Sequence, residues 1–90
     1  MTIDDARSVL MADGYTDIDE WHDGPSVIYP AHEHDGDTAH IVVGGSIVIT
    51  INGEEREYRP GDRFDIPAHT PHSVRMGNEG CTYIFGEKTL

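Results

Sequence analysis

The amino-acid sequence predicts an all-β barrel preceded by one short helix. Beyond residue 14 the chain forms short runs of β-branched and aromatic side chains, and Gly, Pro, Asn and Asp separate these runs at close intervals. Closely spaced strands with turn residues between them are typical of sandwiches and closed barrels, in contrast to alternating strand–helix units. The chain has 90 residues and no repeat or linker, so we interpret residues 1–90 as a single domain.

The one helical pattern covers residues 3–13, inside a lead-in of residues 1–14. Its apolar side chains fall near one face, two aspartates suit the first turn, and Gly14 ends it. The clearest strand is 46–51, which runs into Asn52-Gly53, a strong signal for a type I′ hairpin turn. In order, the predicted strands cover residues 15–21, 26–30, 31–34, 38–43, 46–51, 54–58, 63–66, 72–76 and 81–86.

Charge and cysteine content exclude several classes of function. Seventeen acidic against six basic residues give a formal net charge of −11, so we expect no nucleic-acid partner and no anionic membrane surface. Cys81 is the only cysteine, which rules out an internal disulfide and fits a reducing compartment. The first residues lack the pattern of a signal peptide, and no apolar run is long enough to span a bilayer. We therefore predict a cytoplasmic protein.

The histidines form two clusters, the first of which is Pro30-Ala-His-Glu-His-Asp-Gly-Asp-Thr-Ala-His40. Residues two apart on a strand point to the same face, so His32 and His34 share a direction. Residues 35–37 resemble a three-residue hairpin loop, with Gly supplying a left-handed conformation. Such a loop would place His34 opposite Thr38 and His32 opposite His40, which gathers three histidines and one hydroxyl on one face.

The second cluster runs from Gly61 to His72, with Pro67 and Pro71 enclosing a rigid loop that delivers His72 to the start of a strand. Together the two clusters resemble the paired motifs of the cupin superfamily. The first motif, Gly-x5-His-x-His-x3/4-Glu-x6-Gly, is matched at the positions of its histidines and its final glycine, and Ser26 stands where the first glycine is expected. The matching residues are His32, His34 and Gly45.

The second cupin motif, Gly-x5-Pro-x-Gly-x2-His-x3-Asn, is matched by Gly61, Pro67 and His72. His69 replaces its second glycine, and Met76 replaces its asparagine. The resemblance covers residues 26–76. It implies a cupin-type jelly roll, the double-stranded β-helix, in which His32, His34 and His72 point inward and bind one divalent transition metal, either Fe, Mn, Ni, Zn or Cu.

One departure from the motif concerns the fourth ligand. In the family this ligand is a glutamate, and Thr38 occupies its position here. Two outcomes follow: His40 completes the site as a fourth nitrogen ligand, which we favour, or the metal keeps three protein ligands and open positions for water or substrate. We therefore predict a metal site of His32, His34, His40 and His72. We rank His69, His22 and Cys81 below them as candidates.

Three classes of function remain open at this point. The first is a metal-dependent cupin enzyme, dioxygenase-like or isomerase-like, that acts on a small molecule. The second is a non-catalytic module or sensor that binds a small ligand without an essential metal. The third is an interaction protein in which the barrel is only a scaffold. Members of the superfamily are frequently homodimers, so a homodimer is expected here as well.

Overall fold

One helix and six antiparallel strands make up the chain, whose computed structural model describes residues 1–88. The elements are α1 (Ile3–Ala12), β1 (Thr16–Asp23), β2 (Ile28–His32), β3 (Asp37–Ile51), β4 (Glu54–Tyr58), β5 (Arg63–Ile66) and β6 (His72–Lys88). Within the described residues, α1 is too short and too polar to cross a membrane. The predicted domain bounds of 1–90 include residues 89 and 90, which lie outside the described residues.

Two long bent strands, β3 and β6, pair with each other along most of their length and form the frame of the barrel. Their first and second halves have different outer neighbours. The first half of β3 pairs with β5 and the second half with β4, while β6 pairs first with β2 and then with β1. The result is two four-stranded layers, β1-β6-β3-β5 and β2-β6-β3-β4, that share the two bent strands. The prediction of an all-β jelly roll is confirmed.

The bends in β3 and β6 occur where their pairing register shifts, around residues 42–47 of β3. Gly45 lies at this point with φ +68°, a conformation that side chains with a Cβ rarely adopt. An added Cβ at Gly45 would also overlap the carbonyl oxygen of Gly80 on β6. The last glycine of the first motif is therefore required by the close approach of the two strands at the bend.

Inward-facing apolar side chains from both layers form one core. Its buried members are Val42, Ile47, Ile49, Phe64, Ile66, Met76 and Cys81. A second cluster lies on the outer face of the β1-β6-β3-β5 layer, where α1 covers Ala39, Ile41 and Ile84 with Ala6 and Leu10. This covering explains why both faces of β3 are apolar. Thr38 and His40, which alternate with Ala39 and Ile41, consequently face the barrel interior.

Local signals predicted several elements well. A capping box between Thr2 and Asp5 begins α1, and β4 and β5 have the predicted bounds. Asn52 and Gly53 both have positive φ between paired strands, as a type I′ turn requires. The segments predicted separately as 38–43 and 46–51 are continuous in β3, and those predicted as 72–76 and 81–86 are continuous in β6.

The predicted hairpin around residues 35–37 was wrong. His32 pairs with His72 on β6, and it does not face His40. His40 instead pairs with Phe64 on one side and Phe85 on the other, and Thr38 pairs with Ile66 and Glu87. Both edges of β3 are therefore occupied at this level, which leaves no edge for β2. The segment between β2 and β3 crosses from one layer to the other, and Gly36 does not have the expected positive φ.

Candidate metal centre

Three of the four histidines predicted as ligands lie together. His32, His34 and His72 each offer a ring nitrogen, and these atoms all lie within 4.8 Å of one another. Their ring centroids are 5.0 Å (32–34), 4.4 Å (32–72) and 5.3 Å (34–72) apart. The group joins two elements remote in sequence, because His32 ends β2, His34 follows it, and His72 begins β6. Three converging imidazoles are a donor set that suits a divalent transition metal.

The ring orientation of two of these histidines is fixed by the backbone. Nδ1 of His32 lies 2.9 Å from the carbonyl oxygen of Pro30, and Nδ1 of His72 lies 2.9 Å from the carbonyl oxygen of Thr70. A carbonyl only accepts hydrogen bonds, so each Nδ1 carries the proton and Nε2 keeps its lone pair. Metal-binding histidines commonly hold their free nitrogen in this way. The two rings therefore have the tautomer that a metal ion at Nε2 needs.

Burial differs within the group. His72 is 3% exposed, whereas His32 and His34 are exposed at the opening of the barrel. Burial lowers the pKa of His72, and the neighbouring His32 and His34 add to this effect, while the hydrogen bond to the carbonyl of Thr70 opposes it. A lowered pKa keeps this imidazole neutral near pH 7 and available as a ligand.

A cavity of about 270 Å³ extends from the three histidines into the barrel. Its wall combines aliphatic side chains of both layers with aromatic rings, those of Trp21, Tyr29, Phe64, Tyr83 and Phe85. Arg and Lys are absent from the described lining. Small-molecule sites have this character, a mostly apolar wall with a few polar groups that fix orientation. A small organic molecule inside it would lie next to the three histidines.

His40 lines the same cavity but does not belong to the group of three. Its ring stacks on Phe64 with 4.4 Å between centroids and an interplanar angle of 8°. The prediction that His40 supplies a fourth ligand rested on its pairing with His32, which the strand register contradicts. A role for His40 in metal binding remains a prediction. Thr38, in the position of the motif glutamate, also lines the cavity.

The sequence analysis missed Glu87, whose side chain lines the cavity and is its one carboxylate among the described residues. Glu87 lies directly opposite Thr38 across β3 and β6. Its Oε1 lies 3.0 Å from the point that a Cβ on Gly36 would occupy, so the absence of a side chain at position 36 leaves room for the carboxylate. Alternation along β6 contains the signal, because Tyr83, Phe85 and Glu87 share one face.

The lower-ranked candidates lie elsewhere. His22 is exposed on β1, with Nδ1 2.7 Å from Oγ1 of Thr82. His69 is exposed in the loop before β6, and its backbone amide donates to the carbonyl of His34 at 2.8 Å, which ties the two histidine-bearing loops together. Cys81 is 1% exposed, and burial raises the pKa of its thiol to about 11, so it remains protonated and unreactive.

Known proteins share this architecture. A family profile described as "Cupin domain" matches residues 20–85. Over 54 residues the chain is 39% identical to quercetin 2,3-dioxygenase of Bacillus subtilis, a match that covers 59% of this chain and 16% of that protein. A cupin superfamily protein from Desulfitobacterium hafniense has a similar structure, with TM-score 0.73 and 22% identity over 81% of this chain and 66% of that one.

Oxalate decarboxylase of Bacillus subtilis is also similar in structure, with TM-score 0.72 and 22% identity over 80% of this chain and 20% of that one. The chain spans only 16% and 20% of the two Bacillus subtilis enzymes, which are much longer proteins. The family profile, in contrast, covers well over half of this chain and includes all three histidines of the group. The chain therefore belongs to the cupin domain family.

Proposed function

We propose that the chain binds one divalent transition metal through His32, His34 and His72, and that the metal acts on a small organic molecule held in the barrel cavity. The observation that carries this proposal is the convergence of three imidazoles at the opening of a mostly apolar cavity. The metal is Fe, Mn, Ni, Zn or Cu, all of which imidazole binds. Three protein ligands leave coordination positions open, as in catalytic sites.

The residues of the chain have distinct roles in this proposal. His32, His34 and His72 hold the metal, and the carbonyls of Pro30 and Thr70 keep two of these rings in the binding tautomer. The aromatic and aliphatic wall binds the organic molecule and excludes water from it. The ion, when bound, would supply Lewis-acid polarisation of a substrate oxygen or, if redox-active, activation of dioxygen.

The similarity to quercetin 2,3-dioxygenase favours the dioxygenase-like form of this proposal over the isomerase-like form, since that relative is named for oxygenation of an aromatic compound. The competing proposal is a ligand-binding or sensor cupin without an essential metal, which the replacement of the motif glutamate by Thr38 favours. Metal content separates the two proposals, because the sensor needs none.

The test begins with protein purified without an affinity tag or chelator. Elemental analysis is expected to find close to one equivalent of a transition metal, and chelation should lower the melting temperature. Reloading with Fe(II) and adding quercetin or 2,4-pentanedione should then produce oxygen uptake above that of the free ion. Protein that contains no metal and is not stabilised by any of the five would contradict the proposal. Metal binding without turnover would support a binding module.

We propose that Glu87 contributes the negative charge that the motif glutamate supplies elsewhere in the family. Its carboxylate lines the cavity from the strand next to Thr38. Replacing Glu87 with Gln is expected to weaken metal binding roughly ten-fold, as loss of a supporting group near a metal typically does. Glu33→Gln is the matched control, because it removes the same charge from an exposed position outside the cavity. Equal affinities for the two variants would contradict this role.

Assembly as a homodimer and a cytoplasmic location also remain proposals. Trp21 on β1 and Ile28 on β2 are 43% and 67% exposed, and both strands have one unpaired edge among the described elements. Exposed strand edges with apolar side chains favour pairing with a second chain. Sedimentation velocity should therefore detect a dimer that Ile28→Lys weakens, and a monomer at all concentrations would contradict this expectation.

A further inference from the structure

Two buried polar atoms inside the barrel have no hydrogen-bond partner. They are Oγ1 of Thr38 and Nδ1 of His40, and no other buried side-chain atom among the described residues shares this property. Thr38 is 6% exposed, and both residues line the cavity. They are two residues apart on β3, so they present their polar atoms to the same side of the sheet. We call them the β3 polar pair.

An unpartnered buried polar atom is costly, since it loses its hydrogen bonds to water and gains none in return. The β3 polar pair contains two such atoms, in a cavity whose wall is mostly apolar and aromatic. A ligand that brought a hydrogen-bonding atom to this place would satisfy both.

The surroundings limit the charge and shape of such a ligand. Arg and Lys are absent from the described lining, and Glu87 contributes a carboxylate. An anionic group would therefore find no cation beside the polar pair. The parallel rings of His40 and Phe64, with Phe85 alongside, provide flat surfaces.

We propose that the β3 polar pair is a binding subsite for the hydroxyl or carbonyl group of a small, neutral, aromatic molecule. The hydroxyl of Thr38 can donate and accept a hydrogen bond, and Nδ1 of His40 donates or accepts according to the tautomer of its ring. Together they can therefore pair with a hydroxyl or with a carbonyl group. This inference rests on the proposed function, because it names the class of substrate that the proposed site binds. Binding at the subsite, however, does not require the metal.

The test compares phenol with toluene, two flat molecules of similar size that differ in the hydroxyl group, on protein freed of metal by chelation. NMR titration is expected to show that phenol binds at least five- to ten-fold more tightly than toluene, the ratio that one additional satisfied hydrogen bond gives. Thr38→Val and His40→Phe each preserve the approximate shape of the side chain. Each should weaken phenol binding by a similar factor and leave toluene binding unchanged.

Benzoate tests the charge argument, and we expect it to bind at least ten-fold more weakly than phenol. His22→Ala serves as the control for loss of a histidine, because it removes an exposed imidazole outside the cavity and should leave phenol binding to metal-free protein unchanged. Metal affinity of the unmodified chain is measured separately by competition titration, so that failure of the subsite and failure of the metal centre are distinguishable. Should Thr38→Val or His40→Phe not fold, the other still tests the subsite.

Four results would overturn the inference. One is equal binding of phenol and toluene by the unmodified chain, which would mean that the polar pair contacts only water. Another is tighter binding of benzoate than of phenol. The third is a phenol-to-toluene ratio that neither substitution changes. Loss of phenol and toluene binding together in both variants would also count against it, since that pattern indicates a general loss of the cavity.

Discussion

Replacing His72 with alanine is expected to remove metal binding. Loss of a group that merely hydrogen-bonds a metal ligand weakens affinity about 10- to 100-fold, so loss of a ligand itself should exceed about 100-fold. His72 is the buried member of the group and joins β6 to the two histidines at the end of β2. Competition titration with a chromophoric chelator and Zn(II) or Co(II) measures the affinity directly.

Thermal unfolding gives a second measurement of the same change. A metal present at 100 times its Kd adds about 2.7 kcal/mol to the free energy of unfolding, and the variant should gain none of this. His22→Ala is the control, since it removes an exposed histidine of β1 outside the group of three. His34→Ala, at an exposed position, tests the same site without opening the core. Retention of tight binding in both His72→Ala and His34→Ala would refute the proposed ligand set.

The metal-free protein is expected to lose stability between pH 6.5 and 4 because of His40. Burial holds the pKa of His40 at about 4, with the protons of His72 and His34 lowering it further and the backbone of Phe64 and the carboxylate of Asp65 opposing them. In the unfolded chain the pKa returns to about 6.5, so the unfolded state binds more protons in this window. Stability therefore falls as the pH is lowered, by roughly 2 kcal/mol at pH 5.

His40→Phe removes this contribution, and its free energy of unfolding should fall less between pH 7 and pH 5 than that of the unmodified chain. Urea unfolding at the two pH values, with a chelator present, measures the difference. Part of the dependence remains in the variant, because burial also lowers the pKa of His72. Thr38→Val is the matched control, since it alters the neighbouring polar atom without removing a titratable group. Identical pH dependence in the unmodified chain and His40→Phe would show that His40 titrates normally.

Features encoded over short distances were predictable from the sequence. The turn at Asn52-Gly53 and the strands β4 and β5 follow from turn chemistry and alternation within a few residues. The three histidines were predictable for a different reason, because the spacing of two motifs matched a known family. Membership of that family, now shown by the match over residues 20–85, supplied the long-range contact between His32 and His72 that local patterns do not contain.

The error at residues 35–37 has a physical cause. Asp-Gly-Asp between two short strands satisfies the local requirements of a hairpin, but pairing also depends on which strand edges are free. Here β5 and β6 occupy both edges of β3 beside Thr38 and His40. The strands that compete for these edges lie some 25 to 50 residues later in the chain, so the sequence close to the loop does not reveal them. Alternation places Glu87 on the same face as Tyr83 and Phe85, but only the β3–β6 register shows that this face lines the cavity beside Thr38.

The arrangement of β6 has a consequence for biosynthesis. Strands β1 and β2 find their only described partner in β6, whereas β3 pairs locally with β4 and β5 as well. During synthesis β1 and β2 leave the ribosome before their partner strand β6, so the nascent chain exposes the edges of both strands until β6 emerges. His32 and His34 likewise have no third histidine beside them until His72 has been synthesised. Under the proposed function, metal capture would therefore follow synthesis of β6, and a chain interrupted before β6 would expose two unpaired strands and lack one of the proposed ligands.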